Sequence, residues 1–98
     1  MRLEPYEIKA IQESFISNFH SGKIYLFGSR IDDTKKGGDI DLYIEPVETK
    51  DLMSKKIDFL VELKSKIGDQ KIDVVIDRGK NESIDLIAKK QGVLLWKS

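Results

Sequence analysis

Hydrophobic residues recur along the chain at two spacings, one typical of helices and one typical of strands. Apolar residues three or four positions apart alternate with polar residues in three stretches, which predicts amphipathic helices. These predicted helices span residues 5–20, 50–67 and 81–91. Shorter apolar stretches, bounded by glycine, proline or charged residues, predict strands. The predicted strands span residues 23–27, 39–45, 71–77 and 93–96.

Each of the two longer helices has apolar positions that we expect to face the core. In the first helix these positions are Ile8, Ile11, Phe15 and Phe19. In the second helix the residues expected to point inward are Met53, Ile57, Leu60, Val61 and Ile67. Both helices can therefore cover one face of a sheet.

The order of the predicted elements indicates an α/β fold in the broad sense, that is, an α+β arrangement of a small mixed β-sheet with helices packed mainly on one face. The loop between the first two strands, residues 30–38, is short enough to permit an antiparallel pair. The helix at 50–67 is long enough to cross over to a neighbouring strand. A chain of 98 residues fits one domain, so residues 1–98 are predicted to form a single domain.

Composition narrows the functions that such a domain can have. The 17 basic and 17 acidic residues balance, so no overall field favours nucleic acid or an anionic membrane. The chain has no cysteine, and His20 is its one histidine, which excludes thiolate catalysis and argues against a zinc site or a Ser-His triad. The acidic N-terminal stretch is unlike a signal or transit peptide, and no stretch approaches the roughly 18 apolar residues of a membrane span. A soluble, cytoplasmic protein is therefore the expectation.

Candidate chemistry lies in the second and third predicted strands. Asp39 and Asp41 are two residues apart, so on a strand their side chains point the same way, about 6.5 Å apart. Asp73 stands in a similarly apolar strand, and its face can be the face of the other two aspartates. Magnesium takes hard oxygen ligands such as carboxylates, and two such ions can clamp the attacking and leaving oxygens of a displacement at phosphorus. We therefore predict that Asp39, Asp41 and Asp73 bind metal and carry catalysis.

A Gly-Ser turn after the first predicted strand is a candidate phosphate site. Gly28 lets the backbone approach a phosphate closely, and Ser29 offers an N–H group and a hydroxyl. Arg30, Lys35 and Lys36 follow in the loop and are expected to neutralise a triphosphate.

Each of these features also has an ordinary structural explanation. An Asp-x-Asp on a strand is often the solvated face of an antiparallel sheet, and Gly-Ser after a strand is usually just a turn. The basic loop is more often solvated than bound to a ligand. The features together, in this order along the chain, favour a magnesium–nucleotide site. They identify neither the acceptor nor the base of the nucleotide.

The sequence F-G-S, followed after nine residues by D-I-D-L-Y-I, resembles the signature of the DNA polymerase β-type nucleotidyltransferase superfamily. Over essentially its whole length, the chain is similar to the minimal nucleotidyltransferases of bacteria and archaea. This resemblance implies the nucleotidyltransferase fold, with Gly28 and Ser29 at the phosphates. It implies Asp39 and Asp41 on both magnesium ions, with Asp73 as the third carboxylate. It also implies ATP or another NTP as the donor and AMP or NMP as the transferred group.

The resemblance further implies a partner protein. Many minimal members of the family are encoded beside a helical HEPN-type RNase toxin, and some act as antitoxins that adenylylate a tyrosine of that toxin. A chain of 98 residues leaves no room for the extra helical domain with which antibiotic nucleotidyltransferases bind an aminoglycoside. We therefore expect a macromolecular acceptor that brings its own surface.

Two other functions stay open at this point. One is a catalytically weak module that neutralises a partner protein by contact, and the other is a nucleotidyltransferase that modifies a small molecule such as an antibiotic. A homodimer is also compatible with a short domain that has apolar helices.

Overall fold

Two α-helices and four β-strands make up the regular structure of residues 3–27, 39–77 and 92–98, which are the residues that the computed structural model describes. In chain order these elements are α1 (Pro5–Phe19), β1 (Gly22–Phe27), β2 (Ile40–Pro46), α2 (Leu52–Ile67), β3 (Ile72–Ile76) and β4 (Val93–Lys97). All six were predicted, with bounds that differ by no more than two residues. The predicted helix at 81–91 and the loop at 30–38 lie outside the described residues. Neither described helix is long and apolar enough to cross a membrane.

The strands of the described residues form one sheet in the order β3-β2-β1-β4. β1 pairs antiparallel with both β2 and β4, whereas β2 and β3 run parallel. The parallel pair is a consequence of α2, because a strand returns parallel to its predecessor only after a crossover connection of about this length. The predicted mixed sheet is confirmed.

Two hydrogen bonds to the Glu7 side chain fix the first turn of α1, one from the residue before the helix and one from the turn before β3. Pro5 starts the helix, where its missing N–H costs nothing. The backbone N–H of Glu4 donates to Oε1 of Glu7 at 2.9 Å, and Nε2 of Gln70 donates to Oε2 of Glu7 at 2.7 Å. The buried Glu7 carboxylate therefore joins the start of α1 to the turn before β3.

The core lies between the two helices and one face of the sheet. Its sheet side consists of fully buried residues that alternate along β1 and β2: Ile24, Leu26, Ile40, Leu42 and Ile44. Its α1 side consists of the predicted residues Ile11, Phe15 and Phe19, with Ile8 half-buried beside them. Both described helices join this one cluster, so they pack on one face of the sheet, as predicted.

The face of α2 that packs on the core differs from the predicted face. Met53, Ile57 and Val61 are 56%, 54% and 66% exposed, so the prediction that they point inward is wrong. The prediction is right for Ile67, which is buried, and Leu60 is half-buried against the core.

Relative to the prediction, α2 is rotated about its axis, because the helix carries a second apolar stripe that packs on the core. The buried residues Phe59, Leu63 and Ile67 are spaced by four, which is the same spacing as that of Met53, Ile57 and Val61 in the predicted stripe. Phe59 packs edge-on against Phe19 of α1, with ring centroids 6.0 Å apart. Because an aromatic ring removes more apolar area from water than an aliphatic side chain, the stripe that contains Phe59 takes the core position.

Candidate functional site

Asp39 and Asp41 lie on the face of the sheet opposite to the one on which the two described helices pack. Ile40 and Leu42, which alternate with them in the sequence, are fully buried in the core on the other face. Because side chains alternate along a strand, Asp41 lies on the opposite face where β2 begins. Asp39, the residue directly before β2, is close enough for its charge to act on Asp41 and forms an ion pair with Lys71.

Asp73 of β3 is the direct neighbour of Asp41 in the parallel pair of β2 and β3. Neighbouring strands lie about 4.8 Å apart, so the two side chains start from adjacent positions. Ile72 and Val74, on either side of Asp73, are buried in the core, so the Asp73 side chain points the other way. The structure therefore brings all three predicted carboxylates to one face, at the ends of two adjacent strands.

The surroundings of Asp41 disfavour its negative charge. Partial burial, followed by the negative charges of Asp73 and Asp39, raises the pKa of Asp41 above its ordinary value. The positive charge of Lys71 acts in the opposite direction but does not cancel these effects. A cation shared by the carboxylates would remove much of this electrostatic cost.

Lys71 forms an ion pair with Asp39, with 3.4 Å between Nζ and Oδ2. The lysine side chain is 74% exposed, so water screens the pair and its contribution to stability is small. The pair nevertheless orients the Asp39 carboxylate toward Lys71.

The donor set of this acidic face fits magnesium in its chemistry. Carboxylate oxygens are the ligands that magnesium prefers, and three carboxylates share the face. Among the residues that the structure describes, no group of three or more His, Cys, Asp or Glu side chains is already arranged to hold a metal ion. The three side chains would therefore have to converge around an ion, and Asp39 would have to turn from Lys71.

The end of β1 adjoins Asp41 on the side away from Asp73. Phe27, the last residue of β1, is the direct neighbour of Asp41 in the antiparallel pair. β1 thus brings the chain to Asp41 at the point where the Gly-Ser motif begins in the sequence. The predicted phosphate-binding residues themselves lie outside the described ranges, so their role stays a prediction: Gly28, Ser29, Arg30, Lys35 and Lys36.

An open groove starts at the carboxylates and continues along β3. Its first part is lined by Asp41 and Asp73, by Phe27, and by Lys56 and Leu60 of α2, together with residues of β3. A second, adjoining part is lined by residues 74–76 of β3 and again by Lys56. Among the described residues that line the groove, two side chains are acidic and one is basic.

Sequence reasoning missed Lys56 because it assigned the wrong face of α2 to the core. Lys56 is half-buried and precedes Phe59 by three positions and Leu63 by seven, so it belongs to the stripe that faces inward. A lysine within an otherwise apolar stripe is the signal that could have identified it. Within the described ranges no ion pair to Lys56 is present.

The chain matches a known protein family. A family model described as "Polymerase beta, Nucleotidyltransferase" matches residues 9–98, which include all of the described strands. No curated protein matches the chain.

Three solved structures that resemble the chain come from toxin–antitoxin complexes. A crystal structure of a toxin–antitoxin with AMP-PNP matches with 26% identity and a TM-score of 0.75, over 93% of this chain and 73% of that chain. A structure of tri-AMPylated Shewanella oneidensis HEPN toxin in complex with MNT antitoxin matches with 25% identity and a TM-score of 0.64, over 94% of this chain and 71% of that chain. A crystal structure of the toxin–antitoxin MntA-HepT has 23% identity and a TM-score of 0.72, over 97% and 74% of the two chains, and supports the fold alone.

Proposed function

Since this chain belongs to the polymerase beta nucleotidyltransferase family, we propose that it is a magnesium-dependent enzyme that transfers AMP from ATP to a hydroxyl group of a partner protein. The observation that carries the proposal is the pairing of Asp41 with Asp73 on adjacent parallel strands, with Asp39 on the same face. Family and fold support nucleotidyl transfer in general. The metal, the donor and the acceptor are the proposed part.

In the proposed reaction the oxygen of the acceptor hydroxyl attacks the α-phosphorus of ATP. A bond forms between these two atoms, the bond from the α-phosphorus to its bridging oxygen breaks, and pyrophosphate leaves with the electron pair. The hydroxyl proton passes to a carboxylate. Asp73 is our choice for this base, because it is exposed and lies on the side of Asp41 away from β1.

Asp39, Asp41 and Asp73 are the residues that would hold magnesium. Bound magnesium would offset the negative charge of the triphosphate and of the departing pyrophosphate. Asp41 is central to the group, since Asp73 neighbours it across the strands and Asp39 precedes it by two residues. Its loss should therefore disturb the site more than the loss of either neighbour.

The structural relatives support a toxin as the partner. One of them is a toxin–antitoxin structure with AMP-PNP, and another contains a tri-AMPylated HEPN toxin in complex with an MNT antitoxin. By analogy, the acceptor of this chain is a tyrosine hydroxyl of a HEPN-type toxin, and the chain is the antitoxin. A phenol, with a pKa of about 10, loses its proton more readily than an aliphatic hydroxyl, which suits a site whose base is a carboxylate.

A second candidate function is neutralisation of the toxin by contact alone. One observation favours it: the acidic side chains of the described residues are not yet arranged around an ion position, and Asp39 is paired with Lys71. Modification of a small molecule fits less well, because the groove beside the carboxylates is open, whereas small ligands usually bind in enclosed pockets.

Transfer of labelled phosphate distinguishes these functions. The chain is incubated with a HEPN-type toxin, Mg²⁺ and ATP labelled at either the α- or the γ-phosphate. We expect the toxin to take up label from the α-position alone, and a chelator to stop the uptake. Label from the γ-position would indicate phosphorylation instead. An unlabelled toxin that is still bound and inhibited would support contact alone, and label in an aminoglycoside offered as acceptor would support small-molecule modification.

A further inference from the structure

In the sheet that the described strands form, β3 is an edge strand, and its backbone hydrogen bonds to β2 follow a regular alternation. The carbonyl oxygen of Lys71 accepts from the N–H of Ile40 at 3.0 Å, and the N–H of Asp77 donates to the carbonyl oxygen of Ile44 at 2.8 Å. In a parallel pair, every second residue of a strand directs its backbone groups at the neighbouring strand. The odd-numbered residues from 71 to 77 therefore face β2.

The backbone groups of Ile72, Val74 and Ile76 point away from the sheet. None of their N–H and C=O groups has a partner among the described residues. Such a row of unpaired groups is a template on which another strand can pair. The side chains of the same three residues pack in or against the core, so this edge is held firmly in place.

The same edge forms one wall of the groove that contains the candidate catalytic carboxylates. Residues of β3 line both parts of the groove, and Lys56 of α2 lines both parts as well. Asp41 and Asp73 lie where β3 begins. A chain segment bound along β3 would therefore reach the carboxylates without crossing another element of the described residues.

The order of the strands separates two approaches to Asp41. β1, which leads into the predicted phosphate turn, adjoins Asp41 on one side, whereas Asp73 and the free edge lie on the other side. In an in-line displacement the attacking and leaving oxygens lie on opposite sides of the phosphorus. A donor held on the β1 side leaves the β3 side to the acceptor.

We propose that an extended segment of the partner protein binds along the β3 edge as an additional strand and so brings its hydroxyl group to Asp73 and Asp41. This inference rests on the proposed function and specifies how the acceptor is recognised. Strand addition derives affinity from backbone hydrogen bonds and specificity from pockets for alternate side chains. Side chains on one face of the added strand would meet Asp73, and those on the other face would meet Lys56 and Leu60.

The charges along the groove indicate which side chains the bound segment should carry. Lys56 has no ion pair among the described residues, so an acidic side chain next in sequence to the modified residue would find a partner there. A nucleic acid suits the groove less well, because its phosphates would lie against Asp41 and Asp73.

Amide hydrogen exchange of the ¹⁵N-labelled chain, measured alone and in complex with a co-expressed HEPN-type toxin, tests the proposal. In the free chain we expect β2 to protect the amides of Asp73 and Val75 and those of Ile72, Val74 and Ile76 to exchange fast. In the complex we expect exchange at these last three amides to slow at least about tenfold. Equally fast exchange at all three in the complex, or a toxin that forms no complex, would overturn the proposal.

This measurement reports binding and not transfer, so it separates the inference from the proposed function. A complex that protects the β3 edge but transfers no AMP would contradict the proposed reaction and support the docking mode. A complex that transfers AMP with the edge unprotected would support the reaction and overturn the docking mode.

A pair of proline variants gives a second test. Val74→Pro removes an outward N–H and blocks an added strand, yet leaves the ladder to β2 intact. Lys97→Pro is the matched control on the opposite edge of the sheet: Gly22 and Ser98 exchange both backbone hydrogen bonds, so the N–H of Lys97 points outward. We expect the Kd for the toxin to rise about tenfold for Val74→Pro and less than about twofold for Lys97→Pro.

An unchanged Kd for a folded Val74→Pro variant would overturn the proposal. Circular dichroism establishes whether the variant folds. Should it not fold, the exchange measurement decides, because it uses the unaltered chain.

Discussion

The two faces of β2 and β3 carry opposite chemistry on the same backbone. On the helix side, the even-numbered residues 40–44 of β2 are fully buried in the core. On the other side, Asp41 and Asp73 are direct neighbours and Asp39 is close by, so negative charge accumulates. The first face stabilises the fold by removing apolar area from water, whereas the second costs free energy while no cation is bound.

This difference separates the residues that hold the fold from those that we propose to act on a nucleotide. Both sets are fixed by one alternation, because every residue that enters the core from β2 places its neighbours on the opposite face of the sheet. A substitution can therefore test one face while it leaves the other in place. The largest expected effect on stability is on the core side.

Replacement of Phe59 tests the core side. Phe59→Ala should lower the free energy of unfolding by about 3–5 kcal/mol, because the ring is fully buried against Phe19. Val61→Ala, two positions away on α2, should change it by less than about 0.5 kcal/mol, because Val61 is 66% exposed. Urea denaturation measures both values. Similar losses for the two variants would contradict the rotation of α2 described above.

Magnesium and nucleotide together should stabilise the acidic face. At about ten times the Kd, a ligand that binds the folded state alone adds about 1.4 kcal/mol, which for a domain of this size raises the Tm by about 6–11 °C. We expect this rise for the wild-type chain with Mg-ATP and for an exposed control, Asp58→Asn. Asp41→Asn should lose most of it, and an undiminished rise in that variant would exclude Asp41 from the binding site.

Without metal, the same Asp41→Asn substitution should have the opposite effect on stability. The folded chain holds a proton on Asp41 more tightly than the unfolded chain does, because the pKa of Asp41 is raised from 3.8. Ionisation of Asp41 therefore lowers stability as the pH rises through the raised pKa, and the asparagine avoids this loss.

We accordingly expect Asp41→Asn to raise the Tm of the metal-free chain at pH 7 by about 2–4 °C, corresponding to about 0.5 kcal/mol. The gain should shrink below pH 3.8, where the aspartate is protonated in both states. Thermal unfolding at several pH values measures it, with Asp58→Asn again as the control. A lower Tm for Asp41→Asn at pH 7 would show that the ionised Asp41 does not destabilise the folded chain.

The sequence was sufficient to predict the six described elements, the mixed sheet and the shared face of Asp39 and Asp41, because each depends on local alternation or on the length of a connection. The alignment of Asp41 with Asp73 depends instead on the register between β2 and β3, which α2 and the core packing set together. Sequence spacing could indicate a common face for Asp73 but not its position directly beside Asp41 in the neighbouring strand.

The helix faces were harder to predict because spacing alone does not rank two apolar stripes on one helix. Met53, Ile57 and Val61 recur every four residues as regularly as the buried residues of α2 do. Which stripe is buried depends on the packing of Phe59 against Phe19 of α1, and this tertiary contact cannot be inferred from spacing. Lys56 was missed for the same reason, since its place in the groove follows from the rotation of α2.

Transfer by the Asp41→Asn variant tests the central claim most directly. The measurement is the rate at which label from α-labelled ATP enters the toxin, for wild type, Asp41→Asn and Asp58→Asn. We predict that Asp41→Asn lowers the rate at least about 100-fold while the chain stays folded, and that Asp58→Asn leaves it unchanged. A folded Asp41→Asn variant that transfers label within about twofold of the wild-type rate would contradict the assignment of the acidic face to nucleotidyl transfer.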